Sequence, residues 1–247
     1  METQNLIKHR NHRTYHNSID SGQVVLIRHA QSQWNRENRF TGWADPPLTD
    51  AGIAEAVTAG EWLHNNGYHF DVAYSSRLQR AIATLDILLE QIGQSDIESY
   101  TDWRLNERHY GVLQGMNKTD AINKVGVHQV WRWRRGYEDQ AAPLLRTDPA
   151  HPVNMPMYAD VDRQRLPGVE SLAHTRARVM TFWDEQVAPR IHRGEQILIS
   201  AHGNTLRALL MDLTQMSVDQ VESFEIPTAA PILVDSKNHQ SFDWHYL

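Results

Sequence analysis

The 247-residue sequence contains no cysteine, which excludes disulfides, thiolate nucleophiles and thiolate metal ligands. A reducing cytoplasm is therefore the expected location. No window approaches the ~18 consecutive apolar residues of a membrane-spanning helix, and no membrane association is expected. The first 22 residues, METQNLIKHRNHRTYHNSIDSG, lack the apolar stretch of a secretory signal and read as a flexible polar arm. Net positive charge is lacking too. A formal charge of −6 argues against a general nucleic-acid binder, yet it allows a local cationic pocket for a small anion. There is no HExxH motif and no carboxylate cluster, so no metal site is expected. His9, His12 and His16 stand at metal-like spacing, but on a polar arm they read as solvated side chains.

What is present is a chain that is 40% hydrophobic and 22% charged, enough for one large domain over residues 23–247. Val24 to Ile27 is apolar at every position, as in a parallel strand buried on both faces. Thr49 or Asp50 starts a helix that ends near Asn66 with Gly67 behind it. Asp71 to Ser76 reads as a strand. Leu78, Ile82, Leu85, Leu89 and Ile92 then recur at helical spacing up to Gly93. A further strand is expected within Ile97 to Leu105. From about Gly126 to Gly168 the rhythm breaks, and five of the ten prolines fall there. Trp131 and Trp133 make this stretch a packed, irregular cap and not a free linker. Leu172, Val179, Trp183 and Val187 form one face of a helix expected to stop before Pro189. Ile197 to Ile199 is a second buried strand, followed by a helix bearing Leu206, Leu209, Leu210 and Leu213. The end of the chain reads as two strands joined by a polar turn. The alternation gives an α/β class: a layered, mostly parallel sheet flanked by helices, with an inserted irregular cap.

Both apolar strands end on a histidine, in Arg28-His29 and in Ala201-His202. Open parallel sheets bind ligands outside the carboxyl ends of their strands. If the two strands are neighbours, the two rings face one crevice.

The segment RHAQSQWNRENRFTGW (residues 28–43) resembles the signature of the histidine phosphatase superfamily, and of its cofactor-dependent phosphoglycerate mutases in particular. The likeness continues through SRLQRA around Arg80, LNERHYG around Glu107, Asn117-Lys118, WRRG ending at Gly136, Glu170-Ser171-Leu172 and AHGNTL from Ala201. It spans roughly residues 23 to 235 in the family's order. The resemblance implies a phosphohistidine enzyme of glycolysis and gluconeogenesis. Such an enzyme is an isomerase that interconverts 3- and 2-phosphoglycerate, primed by 2,3-bisphosphoglycerate and needing no metal.

On that resemblance His29 is the nucleophile, and Arg28, Arg80 and His202 clamp the transferring phosphoryl group. Guanidinium suits this task because it meets phosphate with two parallel hydrogen bonds and stays charged. Glu107 is the general acid and base; read without the family, it could equally be a salt-bridge partner for Arg104 or Arg108. Arg108, His109, Tyr110, Lys118, Arg134 and Arg135 are implied at the far end of the substrate. Ser32, Asn35, Thr41, Gly42, Gly203 and Asn204 are implied as further ligand contacts. Asn204 also fits the start of a helix whose amides favour an anion. The partner is a small anionic phosphorylated substrate, not a nucleic acid, and the family suggests a homodimer.

Ala30 and Gln31 stand where the family usually has Gly and Glu, and Ala229 replaces another usual glycine. The sequence stops at Leu247, short of the polar tail such mutases often carry, so more hydrolysis is expected than a tailed relative shows. The first rival reading is a phosphatase on the same scaffold. The second is a non-catalytic phospho-ligand binder, which His29, Glu107 and His202 weigh against.

Overall fold

The computed structural model describes residues 22–236 and 242–247. The arm with His9, His12 and His16, and the turn expected between the last two strands, lie outside the described residues. A six-stranded sheet organises the molecule in the order β3-β2-β4-β1-β5-β6. The strands are β1 (Gln23–Arg28), β2 (Val72–Ser75), β3 (Glu98–Thr101), β4 (Gln196–Ala201), β5 (Pro231–Ser236) and β6 (Phe242–Tyr246). β3, β2, β4 and β1 run parallel, whereas β5 pairs antiparallel with β1 and β6 antiparallel with β5.

The central strands are apolar throughout because both faces of the sheet are covered. Val25, Ile27 and Leu198 face α2 (Asp50–Asn65) and α3 (Gln79–Ile92), meeting Leu63, Leu85, Leu88 and Leu89. Val24, Leu26, Ile197 and Ile199 face the other way, against α6 (Leu172–Phe182) and α8 (Gly203–Leu213). Alternation along each strand thus feeds two cores at once. Each fully buried Leu, Ile or Val stabilises the fold by about 1.5–3 kcal/mol. Thr49 caps α2 by accepting the Gly52 N–H at 3.0 Å, and Gly93 ends α3 at φ 77°.

Register places the chemistry. Arg28 lies opposite Ala201 across the parallel β1–β4 pair, so His29 and His202 leave the same sheet edge side by side.

Two expectations need correction. The helix from Leu172 does not stop before Pro189. It widens into a π-type segment, Trp183–Val187, and continues as α7 (Ala188–Ile191). The shift of hydrogen bonding puts Pro189 in the first turn of α7, where its missing N–H costs nothing. The stretch 126–168 is not irregular from its start: it opens with α5 (Val127–Arg135), which carries Arg134 and Arg135. α5 directly follows α4 (Lys118–Val125), with Gly126 at φ 86° making the break. The remainder is held by a cluster of Trp43, Trp103, Val153, Tyr158, Val161 and Leu166. Trp133 packs against the Phe40–Leu113 cluster, whereas Trp131 is 45% exposed. Among the described residues no helix is long and apolar enough to cross a membrane.

Candidate active site

A cavity of about 180 Å³ opens at the carboxyl edge of β1 and β4. His29 lines it, yet its side chain is nearly buried. Its Nδ1 lies 2.7 Å from the Ala30 carbonyl oxygen, which fixes the proton there and leaves Nε2 unprotonated. Burial is the main force holding this ring well below the usual imidazole range, followed by Arg80 and Arg28. The ring is therefore neutral at physiological pH, as an attacking nitrogen must be.

Arg80 approaches from the first turn of α3. Its Nε donates to His29 Nε2 at 3.2 Å, and its terminal nitrogens donate to the carbonyls of Ala44 and Gly42 at 2.8 Å each. Gly42 sits at φ 57°, a left-handed conformation that favours glycine, and a Cβ there would come within 2.4 Å of the Gln114 side-chain oxygen. Burial lowers Arg80 to about 10, still charged at neutral pH. Arg28 anchors through one nitrogen on the Ile226 carbonyl at 2.6 Å, while its buried Nε has no partner among the described residues.

Glu107 forms the opposite wall. It does not pair with Arg104, which is spent on Asp102 and Glu185. Its Oε1 accepts the backbone N–H of Arg108 at 2.8 Å and of Asn204 at 3.2 Å. Asn204 belongs to the first turn of α8, so the carboxylate faces a helix N-terminus. Asn204 also donates to the Tyr110 hydroxyl at 3.0 Å, tying two lining residues together.

The far end of the cavity is cationic. Lys118, Arg134 and Arg135 line it, with Arg39 and Arg207 beside them. Lys118 is lowered to about 8, mainly by burial and then by Arg134, Arg28 and Arg135. Among the described residues Arg28, Lys118 and Arg134 have no ion-pair partner, whereas Arg135 pairs with Glu225.

Asn35, Thr41, Gly42 and Gly203 also line the cavity, as the family likeness implies. Four expected residues stand outside its lining. Arg108 is fully buried, and its guanidinium is spent on the carbonyls of Glu170, Gly136 and Asp139. It ties the cap to the sheet and has no free edge for a ligand. His109 turns away, accepts the Gly111 N–H at 3.0 Å and lies tilted against the Trp43 ring; burial pushes it down to about 4. Ser32 caps α1 (Gln33–Arg36) in a reciprocal pair with Asn35. His202 lies just behind the wall, its ring centre 5.0 Å from that of His29. Burial, with Arg80 and His29 next in effect, holds it well below the usual range too.

Arg39, Phe40, Arg207, Glu225 and Ile226 line the cavity without having been foreseen. Arg39 and Phe40 lie within the quoted signature, and Arg207 follows Asn204 by three positions on α8 and donates to its side chain at 2.9 Å. The departures from the family are accommodated unequally. Ala30 has no positive φ and gives its N–H to Thr84 at 3.1 Å. Gln31 accepts from the Thr49 hydroxyl at 2.9 Å. Ala229 is held at φ 50°, a left-handed conformation that favours glycine, while its N–H bonds the Arg28 carbonyl at 2.9 Å.

The fold has solved counterparts. A mycobacterial glucosyl-3-phosphoglycerate phosphatase superposes with a TM-score of 0.69 at 22% identity, over 92% of this chain and 97% of that one. A phosphoglycerate mutase from Bacillus anthracis str. Sterne gives 0.66 at 22% identity, over 93% and 94%. An alpha-ribazole phosphatase from Shigella flexneri gives 0.67 at 20% identity, over 91% and 95%. At such identities the likeness shows the shared fold. The model of the histidine phosphatase superfamily (branch 1) matches residues 24–151 and 148–243 of the sequence. With that match over most of its length, the chain belongs to the histidine phosphatase superfamily, whose chemistry is phosphoryl transfer or hydrolysis.

Proposed function

We propose that the chain is a 2,3-bisphosphoglycerate-primed phosphoglycerate mutase. The observation that carries this reading is the set of unpaired cations, Arg28, Lys118 and Arg134, in one cavity with His29. Desolvating cations without a counter-charge is costly, so the site suits a ligand that brings anions to both ends.

His29 Nε2 attacks phosphorus, and the phosphorus–oxygen ester bond breaks as the phosphorus–nitrogen bond forms. Arg80 and Arg28 take up charge on the equatorial oxygens. Glu107 gives a proton to the leaving oxygen and recovers it from the accepting hydroxyl in the return step. Lys118, Arg134 and Arg135 hold the distal charge while the substrate turns around. Bisphosphoglycerate, when bound, supplies the priming phosphoryl group, and the same two cationic ends would hold it.

A phosphatase is the second reading, and Glu225 favours it. This carboxylate lines the cavity and pairs with Arg135, so it competes with any distal anion. The deciding assay supplies 3-phosphoglycerate in chelator, with and without bisphosphoglycerate, and follows 2-phosphoglycerate and free phosphate together. The mutase reading expects primed formation of 2-phosphoglycerate, faster than phosphate release and indifferent to chelator. Phosphate release without 2-phosphoglycerate would establish the phosphatase instead.

A further inference from the structure

Ser76 follows β2 at the sheet edge, fully buried, in the turn that leads into α3. Its Oγ lies 2.7 Å from Nε2 of His202 and also accepts the Leu78 N–H at 3.1 Å. No other hydrogen bond reaches this hydroxyl among the described residues. These contacts determine where the imidazole proton sits.

A hydroxyl has one proton to give, and a neutral imidazole has one donor nitrogen and one acceptor nitrogen. If His202 donated from Nε2, Oγ would accept twice and its own proton would find no acceptor. The lone pair on Nδ1 would be stranded as well, because that nitrogen is buried without a partner among the described residues. If Oγ donates to Nε2 instead, the hydroxyl is satisfied on both sides. The imidazole proton then belongs on Nδ1, and a single donor remains without a partner. Buried polar groups are seldom left unpaired, so the second arrangement is favoured. The remaining Nδ1–H belongs to a ring whose centre is 5.0 Å from that of His29.

We propose that Ser76 is a positioning residue: it holds His202 in the Nδ1–H tautomer, so that this nitrogen donates to the phosphoryl group at His29. The proposal rests on the reading that His29 carries that group. A donor fixed before reaction stabilises developing charge without reorganising at the moment of transfer. Substitution of Ser76 removes the one hydrogen-bonding group that, among the described residues, distinguishes the two ring nitrogens of His202. The ring then becomes free to take the Nε2–H form, which presents a lone pair to an anion.

The tautomer is read directly in the wild-type protein. Ring ¹⁵N shifts and two-bond couplings identify the protonated nitrogen, and His202→Gln assigns the signals by their loss. Nδ1–H is expected, and an Nε2–H pattern would overturn the proposal. Ser76→Ala should shift the ring toward Nε2–H and slow phosphoenzyme formation from bisphosphoglycerate about 10- to 100-fold. Ser76→Thr, which keeps the hydroxyl, should restore both. A folded Ser76→Ala protein with unchanged tautomer and rate would equally overturn it. Wild-type protein that shows Nδ1–H yet forms no phosphoenzyme would sink the phosphohistidine reading, leaving the tautomer assignment upheld.

Discussion

His29 Nδ1 stands 2.7 Å from the carbonyl oxygen of Ala30, the next residue in the chain. A backbone atom therefore sets the tautomer of the nucleophile, and no side chain is needed to orient it. Arg80 reaches the other ring nitrogen at 3.2 Å, where the phosphoryl group would be received.

Neutral burial of two histidines makes stability depend on pH. Burial first, then nearby arginines, puts the folded values of His29 and His202 well below the ordinary 6.5. Below 6.5 the unfolded chain therefore binds more protons than the folded one. The contribution of these rings is complete above that pH and is lost as pH falls. Denaturant titrations between pH 7 and 5 should show stability dropping by up to about 1.4 kcal/mol per pH unit for each ring. His29→Gln should remove one ring's share. An unchanged slope in that variant would show that His29 titrates as a free histidine.

Lys118 titrates near its working range because burial and its cationic neighbours lower it to about 8. Above that pH it is neutral and no longer attracts the distal anion. KM for 3-phosphoglycerate should rise between pH 7 and 9 while kcat changes little. Lys118→Arg should flatten the rise, since guanidinium stays charged. A flat wild-type KM would remove Lys118 from the distal site.

The Arg134-Arg135 pair should matter more to reorientation than to hydrolysis. Replacing both with alanine should lower mutase kcat/KM about 10- to 100-fold, and free-phosphate release by much less. Equal losses in both activities would contradict a distal role.

Glu170 and Arg178 support the site from behind. They pair at 2.6 Å with both side chains nearly buried, and Arg178 also donates to the carbonyls of Arg104, Asn106 and Glu107. Glu170→Ala leaves a buried guanidinium without its carboxylate and should cost about 3–5 kcal/mol. A loss under about 1 kcal/mol by chemical denaturation would show that the carbonyls suffice.

The parts of the fold legible in the sequence are those where one physical rule dominates. Val24 to Ile27 and Ile197 to Ile199 read as buried strands because nothing polar interrupts them, and their histidines follow from the strand ends. The α4–α5 region was opaque because its helices are short and mostly polar, joined at Gly126. Arg108, implied at the substrate by the family likeness of LNERHYG, follows Glu107, which faces the cavity. The backbone carries the arginine the other way, toward three carbonyls from the cap and its edge. Arg39 and Ser76 lie within the quoted stretches RHAQSQWNRENRFTGW and SRLQRA, but nothing there marks them as site residues, and Glu225 lies in no motif; tertiary packing brings all three to the site. Pro189 looked like a stop because a π-type turn leaves no mark in hydrophobic spacing.

The central claim is that His29 carries the phosphoryl group. Incubation with 2,3-bisphosphoglycerate followed by intact-mass and peptide analysis tests it most directly. A single phosphoryl group should appear on His29, labile in acid and stable in alkali as a phosphoramidate is, and His29→Ala should take up none. Label that persists in His29→Ala, or that survives acid as a phosphate ester would, contradicts the account.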